Sequence, residues 1–541
     1  MKPSLSQKYS FPIWLLVSGF LLAALIFLLD SNDRAIAWRT ISLGALTSLV
    51  ALPIGIMLAY VSNGRGFIAA VVRTFCIVGV LMPVFAHVTA WDAAFGKLGL
   101  LTNTFGDVLK PIVSRWPAAV WIHSMIAAPQ VAILFLVAMR SGSEAWEDAI
   151  RLEVSSVAAN LRILLWRFGP VAIAAVLWTM IGCAREIGVT DIYQIGTLAE
   201  QVYLGYSLGQ LNAIGTAWTA EQLAAAQNLG IGITLLIVAW LAASAMFAFF
   251  SMSRSVRRSE SRRPAREISN SKFVNLIGVV LLLIVVAVPI ANLIGRVGFS
   301  VVRIDGEPVA TWSATAGVEA ISGVFRNFGD EFTWSFLIAT VAATIVCAIV
   351  MPLVWATRKS LSGKLFLGLV FGVLAATPGP SIGLMVAKLF NSIELSFVQF
   401  LFDRTIAAPV VASILFCLPL AIPVFWFLAL QISEDQQQHA TIDGVSNWTQ
   451  FVHFFLVGGL RTNLGAWLLM VAFCFAELSA TQMVLPPGMD TVPRLALGML
   501  HAGVNESTAA LTLVTFLPVV LLGVLAQISF AYSRPLPAND K

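Results

Sequence analysis

Charged residues are scarce in this sequence. Asp, Glu, Lys and Arg make up 11% of its 541 residues, whereas 58% are hydrophobic. Ordinary soluble domains are about 25% charged and about 45–50% apolar, so a soluble chain of this length could not bury so much apolar surface. The scarcity of charge therefore excludes a soluble globular protein. Apolar runs of 18 or more residues recur along the chain, and each could cross roughly 30 Å of hydrocarbon, which indicates an integral membrane protein.

Motifs for catalysis and nucleotide binding are also missing. No G-x-x-x-x-G-K-[ST] phosphate-binding loop occurs, so the chain has no such site for ATP. The five histidines are scattered, without the close spacing of a metal site. The five cysteines lie in apolar runs, where they are typical of small buried residues rather than disulfides. We therefore predict that the chain is not an enzyme and that it holds no metal and no cofactor.

Twelve apolar runs predict an all-α polytopic membrane protein with about twelve transmembrane helices. They lie at 11–29, 41–61, 68–91, 117–139, 169–187, 227–250, 273–294, 333–355, 364–389, 405–431, 461–483 and 506–532. The first run could instead belong to a cleaved signal peptide, with Ala35-Ile36-Ala37 at the cleavage site. Asp30, Asp33 and Arg34 separate the run from that site, so we favour an uncleaved helix. Within later runs, we expect Pro83, Pro378, Gly379 and Pro380 to shape helix breaks.

Two stretches at matching positions indicate that the chain is a duplicated unit. They are residues 147–170 and 437–461. Pro129 precedes Glu153 by 24 residues, and Pro419 precedes Asp443 by 24 residues, so both pairs are related by an offset of 290 residues. Self-similarity at a fixed offset is the signature of an internal repeat, and each repeat here would contain about six helices.

A basic linker joins the two predicted repeats, which comprise residues 1–250 and 273–541. The linker, residues 251–272, contains six Arg and one Lys. Such a segment stays on the cytoplasmic side, because its translocation would oppose the positive-inside bias. A nucleic-acid patch is the alternative, which the position between two apolar runs disfavours. Counting helices outward from the linker places both termini and both matching stretches in the cytoplasm.

Each matching stretch has the pattern of a helix, a turn and a second helix. In the second stretch the turn is Asp443-Gly444-Val445-Ser446-Asn447, where Gly supports a left-handed backbone angle and Ser or Asn can cap the next helix. One interpretation is a connector that lies on the bilayer surface. We favour docking sites for a cytoplasmic partner, because two equivalent turns suit a partner with twofold symmetry.

These loops resemble those of the permease subunits of binding-protein-dependent ABC importers. In that family, a cytoplasmic loop that begins Glu-Ala-Ala lies between the fourth and fifth helices of each six-helix unit. The fused two-unit form resembles ferric-iron permeases, whose relatives carry thiamine. Four further segments are similar to that subfamily: PVFAHVTAWDAAFGKLGL (83–100), AREIGVTDIYQIGTLAEQVY (184–203), ATPGPSIGL (376–384) and AELSATQMVLPPGMDTVP (476–493). The resemblance covers most of residues 40–532 and implies two type I permease repeats.

The resemblance also implies partners, a location and a cargo. The partners would be a cytoplasmic ABC ATPase homodimer on a separate chain, a periplasmic substrate-binding protein and the lipid of a bacterial inner membrane, without nucleic acid. Ferric iron is the favoured cargo, while thiamine, a polyamine or a phosphonate compound stay open. An ion-gradient-driven secondary transporter is the alternative from another class. It would show ionisable residues near the bilayer midplane, whereas here, apart from a few such as His123, they concentrate near helix ends.

The residues at the matching loop positions are candidates for coupling to the ATPase. In the first loop, Glu147-Asp148-Ala149 matches the acidic start, but Val154 stands where the family has Gly. In the second loop, Gln437-Gln438-His439 replaces the acidic start, while Asp443-Gly444 keeps the turn. The predicted coupling residues are Glu147, Asp148, Ala149, Glu153, Val154, Asp443, Gly444 and Trp448.

A second repeated feature offers candidates for the translocation path. Cys, Glu and Thr recur with equal spacing, as Cys183, Glu186 and Thr190 and as Cys474, Glu477 and Thr481. Ionisable residues at membrane depth are costly and normally face a cavity or a partner. Two carboxylates across a pseudo-twofold axis would suit a hard cation, so we predict that Glu186, Thr190, Glu477 and Thr481 line the path. The alternative is that Glu186 pairs with Arg185 and that both Glu residues only fix helix ends.

Overall fold

The computed structural model of the chain describes residues 31–64, 66–96, 115–140, 168–207, 237–244, 272–304 and 307–531, and the single residues 99, 102 and 246. The predicted first span at 11–29 and nearly all of the linker at 251–272 lie outside these residues. The same holds for the predicted coupling residues of the first loop, which are Glu147, Asp148, Ala149, Glu153 and Val154.

The described part of the first half is helical. Its helices are α1 (Ser31–Ser62), α2 (Phe67–Leu81), α3 (Val84–Phe95), α4 (Arg115–Arg140), α5 (Gly169–Arg185), α6 (Gly188–Tyr193) and α7 (Leu198–Ser207). The long helix α1 packs along α4 and α5. These helices bury small and branched apolar side chains such as Ala51, Ala128 and Val131 between them.

The second half is helical apart from one hairpin. Its helices are α8 (Lys272–Leu282), α9 (Val288–Val297), α10 (Ala314–Asn327), α11 (Gly329–Thr357), α12 (Leu361–Ala376), α13 (Gly379–Asn391), α14 (Ser396–Arg404), α15 (Ala407–Leu430), α16 (Glu434–Ile442), α17 (Asn447–Gln450), α18 (Leu460–Phe475), α19 (Val492–His501) and α20 (Glu506–Ala531). A π-helical turn, Leu283–Ala287, joins α8 to α9, and a second one, Phe451–Val457, follows α17. A 3-10 turn lies at Thr481–Met483.

A β-hairpin between α9 and α10 is an element that the sequence analysis missed. Strand β1 (Phe299–Ile304) pairs antiparallel with β2 (Glu307–Trp312), with Phe299 opposite Trp312. The two residues between the strands are Asp-Gly, a strong hairpin signal when flanked by residues such as valine. The hairpin is too short and too polar to cross a membrane, so it is not part of any long apolar run.

The chain is an all-α polytopic membrane protein, as predicted. In the described ranges, six helices are long and apolar enough to cross a membrane, and the number rises to nine if each of three bent helix pairs is one span. The six are Arg34–Ser62, Arg115–Met139, Lys272–Val297, Gly329–Thr357, Ala407–Leu430 and Glu506–Phe530. The five cysteines are free and buried, also as predicted. A total of twelve spans, arranged as two repeats, stays a prediction.

Two of the predicted spans are broken rather than straight. Helices α2 and α3 meet at 104°, and α12 and α13 meet at 102°. Pro83 and Pro378 stand immediately before the second helix of each pair, and the residue before each proline is extended, with ψ 128° at Met82 and 123° at Thr377. Proline disfavours the helical conformation of the residue before it, which explains both bends. The expected helix breaks are therefore confirmed at these two prolines.

A third predicted span, 461–483, also differs from a straight helix. Helix α18 ends at Phe475, and a loop and the 3-10 turn follow it. Helices α5 and α18 have 17 and 16 residues. At about 1.5 Å per residue each is roughly 25 Å long, which is shorter than the roughly 30 Å of hydrocarbon that a span must cross. Neither helix is therefore long enough by itself to cross the hydrocarbon.

The two halves pack against each other through shared apolar cores. One core gathers Leu43 and Ile122 of the first half with Val492 and Leu511 of the second. Another is centred on α11, α15 and α18 and also includes Ile181 of α5. The ends of α5 and α18 are thus enclosed by protein from both halves.

Close packing around the second break gives a test of this arrangement. A Cβ atom at Gly383 would lie 2.4 Å from the Ala480 carbonyl oxygen, whereas one at Gly182 would meet no atom within 4 Å. Both glycines are inside helices. We expect Gly383→Ala to lower the melting temperature of the purified protein, because overpacking against backbone costs about 1–3 kcal/mol. Gly182→Ala, the matched control, should leave it unchanged or raise it. Equal effects of the two changes would contradict the packing.

Candidate functional site

The two helix breaks and the two Cys-Glu-Thr segments meet inside the bundle. A Cβ atom at Gly379 would lie 2.3 Å from Cβ of Ser479 and 3.2 Å from the Arg185 carbonyl oxygen. A Cβ atom at Gly188 would lie 3.2 Å from Cγ1 of Val84. We call this region the break site, defined as residues 183–191 and 474–483 together with the breaks at 82–84 and 377–380. All four predicted path residues belong to it.

Glu186 follows the last residue of α5 and is 8% exposed. Its Oε2 accepts a hydrogen bond from the backbone N–H of Val189 at 3.1 Å, and its carbonyl oxygen accepts one from Oγ1 of Thr190 at 3.4 Å. Its Oε1 lies 3.1 Å from Nε2 of His123 on α4. The carboxylate therefore caps the first turn of α6 and contacts a histidine from a neighbouring helix.

Glu477 has the corresponding place after α18 and is 4% exposed. Its Oε1 accepts from the backbone N–H of Ala480 at 2.6 Å, and its Oε2 accepts from that of Thr481 at 3.0 Å. Oγ1 of Thr481 donates to the Glu477 carbonyl oxygen at 3.4 Å, as in the first half. Both glutamates thus bind N–H groups that would have no helical partner where the chain is broken.

Arg185 does not pair with Glu186, which corrects the alternative considered above. Its Nε donates to the carbonyl oxygen of Thr377 at 3.3 Å, and its Nη2 donates to that of Phe416 at 3.0 Å. The guanidinium carbon lies 4.2 Å from the centre of the Phe416 ring. Thr377 is the residue at the second helix break. Arg185 therefore extends from the first half into the second and binds a backbone carbonyl that the bend exposes.

The two equivalent carboxylates have different basic neighbours, and both neighbours belong to the first half. Arg185 interacts electrostatically with Glu477, whereas His123 contacts Glu186. At an offset of about 290 residues, Ala476 stands where the first half has Arg185, and Ser413 stands where it has His123. Both basic partners of the carboxylates thus come from the first half. The repeat in sequence identified the glutamates but contained no signal for their partners.

A second polar contact joins the halves at the edge of the break site. Nε2 of His501, at the end of α19, lies 3.1 Å from Oδ2 of Asp191 in α6. Nδ1 of the same ring lies 2.9 Å from the Leu497 carbonyl oxygen. The ring therefore lies between a carboxylate of the first half and a backbone carbonyl oxygen of its own helix. The sequence contained no signal for this pair.

The chemistry available at the break site is hydrogen bonding to backbone groups. Among the described residues, no three His, Cys, Asp or Glu side chains converge in a way that could hold a metal ion. Thr190 and Thr481 are buried, and both oxygens of Glu477 already accept backbone hydrogen bonds. The geometry therefore accounts for both glutamates as caps of broken helices. Their role in a translocation path stays a prediction.

The second predicted coupling loop forms a helix, a turn and a helix. Gly444 has φ 79°, so it occupies the left-handed region, and Oγ of Ser446 accepts the Thr449 N–H at 3.1 Å as the cap of α17. These were the roles expected of the two residues. Asp443 is the first residue of the turn and is exposed, and Trp448, on the outer face of α17, is 65% exposed.

The two glutamate caps should respond differently to loss of charge. In Glu477→Gln, one backbone N–H would face the amide NH₂ in place of an acceptor, and a buried unsatisfied donor costs about 1–3 kcal/mol. In Glu186→Gln, the amide oxygen can accept the Val189 N–H, and the NH₂ can donate to Nε2 of His123 when that ring is neutral with its proton on Nδ1. We expect Glu477→Gln to lower the melting temperature by several degrees more than Glu186→Gln. A larger loss in Glu186→Gln would contradict these hydrogen-bond assignments.

Comparison with known proteins shows a similarity to a transport permease. No protein-family model matches the chain. The chain is similar to the "Putative molybdenum transport system permease protein YvgM" of Bacillus subtilis (strain 168), with 26% identity over 189 residues, which cover 33% of this chain and 83% of that protein. This relative is described as a permease, and its description names neither ferric iron nor thiamine. The chain is thus a multi-pass membrane protein with similarity to a transport permease.

Proposed function

We propose that this chain is the transmembrane permease of an ATP-driven ABC importer of the inner membrane. The observation that carries the proposal is the exposed helix-turn-helix of residues 434–457, which we call the docking loop. It connects α15 to α18, where the importer family has its ATPase-binding loop. A cytoplasmic ATPase would bind the docking loop, and a periplasmic binding protein would deliver cargo at the opposite side of the membrane.

The surface of the docking loop supports a protein partner rather than lipid. Ile442 is 81% exposed, Val445 36% and Trp448 65%. Ile442 ends α16, whose sequence Glu-Asp-Gln-Gln-Gln-His-Ala-Thr-Ile is too polar to enter hydrocarbon, and Val445 and Trp448 follow it in the chain. Exposed apolar groups within a polar rim are typical of protein interfaces, where tryptophan is enriched. The loop therefore fits a cytoplasmic partner such as an ABC ATPase.

Two observations support the division into two permease repeats, at 1–250 and 273–541. The match to the relative covers most of that protein but one third of this chain, so the relative is less than half as long as this chain. In addition, each half has a proline-associated break, with angles of 104° and 102°. Two units of one permease, fused through the basic linker at 251–272, would have both features and would place both termini in the cytoplasm.

Ferric iron is the cargo that the quoted loop and segment motifs favour. The relative, which is named for molybdenum transport, makes molybdenum a second candidate. Thiamine, a polyamine and a phosphonate compound are the other cargo candidates. The described residues of the break site form no ready-made cation site, so we assign cargo selection to the binding protein. A secondary transporter, the alternative function, would need no ATPase.

Two glycines allow a matched test of the docking loop. Gly444 and Gly488 have φ 79° and 81°, and a Cβ atom at either would meet no atom within 4 Å. An Asp at either position therefore meets the same backbone strain, but only Gly444 lies in the docking loop. We expect Gly444→Asp to reduce ATPase co-purification and ATP-driven uptake at least tenfold. Gly488→Asp should leave co-purification at the wild-type level.

The measurement uses the chain purified with its co-purifying ATPase and reconstituted in vesicles with ATP inside. Uptake of ferric iron, molybdate and thiamine is compared in the presence of the matching binding proteins. Equal ATPase retention in both glycine variants would argue against docking at this loop. Uptake that follows an ion gradient without ATP would instead establish the secondary transporter.

A further inference from the structure

The buried face of the docking loop is fixed to the end of one transmembrane helix. Trp355 lies in the last turn of α11 and is 3% exposed. Its indole N–H lies 3.1 Å from both the carbonyl oxygen and Oδ1 of Asn447, the first residue of α17. The Trp355 ring also packs against Phe451 and Phe455, with ring centres 5.9 Å away in each case.

Arg358 holds the other helix of the docking loop. Its Nη2 donates to Oε1 of Gln437 on α16 at 2.8 Å, and its Nη1 donates to the carbonyl oxygen of Trp355. The guanidinium lies over the Trp355 ring, 3.2 Å from the ring centre. Burial lowers the pKa of Arg358 to about 10, so the group is still charged at neutral pH. Both helices of the docking loop are thus tied to the same end of α11.

The opposite end of α11 reaches the region of the break site. Helix α11 has 29 residues, enough to cross the bilayer. Near its start, Oγ of Ser335 accepts the backbone N–H of Val492 at 2.9 Å, at the first residue of α19. Residues 476–491, which include Glu477, connect α18 to this point. One continuous helix, which contains Pro352, therefore contacts the docking loop at one end and the segment after the Glu477 cap at the other.

We propose that Trp355 and Arg358 are positioning residues that transmit movement between the docking loop and α11. This inference rests on the proposed function, because the movement would come from an ATPase bound to the outer face of the loop. The outer face, with Ile442 and Trp448, binds the partner, while the inner face is held by α11. A displacement of the loop then moves α11, and through it the start of α19.

A matched pair of tryptophans tests the proposal. Trp355→Phe keeps an aromatic ring but removes both hydrogen bonds to Asn447. Trp467→Phe also removes one indole N–H bond to α11, which donates to Oγ1 of Thr344 at 3.1 Å, far from the docking loop. We expect Trp355→Phe and Arg358→Met to raise the ATP hydrolysed per cargo transported at least threefold, with the ATPase still co-purifying. Trp467→Phe should leave this ratio unchanged.

Hydrogen–deuterium exchange of residues 434–450 provides the second readout, which does not require transport. We expect exchange there to be about tenfold faster in Trp355→Phe than in the wild type or in Trp467→Phe. Unchanged exchange would contradict the link, by which we mean that Trp355 holds the docking loop on α11. Faster exchange with an unchanged ratio of ATP to cargo would overturn its role in transmission. A wild-type protein that shows no ATP-driven uptake would overturn the proposed function, and the exchange result would still decide whether the link exists.

Discussion

The structure depends on one constraint: a backbone N–H or C=O group at membrane depth needs a hydrogen-bond partner, because hydrocarbon offers none. The bends at Pro83 and Pro378 and the early ends of α5 and α18 interrupt four helices inside the bundle. Glu186 and Glu477 accept the N–H groups that these interruptions leave, and Arg185 donates to the Thr377 carbonyl oxygen. These buried charged side chains therefore have hydrogen-bond partners in the backbone and need no ligand to account for them.

This arrangement places the polar contacts that hold the helices together and the exposed docking loop in different parts of the molecule. Buried polar side chains hold broken helices together across the two halves: His123 lies against Glu186, and Arg185 binds carbonyl oxygens of the second half. The exposed apolar groups of the docking loop belong to a different surface, at one end of the bundle. Helix α11 connects the two regions through Trp355 at one end and Ser335 at the other. Such a connection is what an importer driven by a separate ATPase would need.

Local sequence patterns predicted the elements but not their partners. Apolar runs located the long helices, the prolines indicated two breaks, and Gly444 with Ser446 indicated the turn of the docking loop, since each of these effects acts over a few residues. The contacts of Arg185 with Thr377 and Phe416 join residues about 190 and 230 positions apart. No periodicity encodes such pairs. The 290-residue offset also could not reveal that His123 and Arg185 have no counterparts of the same kind in the second half.

Amide hydrogen exchange around Glu477 tests the central claim most directly. If the carboxylate caps the broken chain, the amides of Ala480 and Thr481 are protected in the wild type although they lie outside a regular α-helix. Glu477→Ala should then make residues 478–484 exchange at least tenfold faster, while residues 187–192, capped by Glu186, stay as slow as before and show that the variant is folded. Equal exchange of residues 478–484 in both proteins would contradict the account.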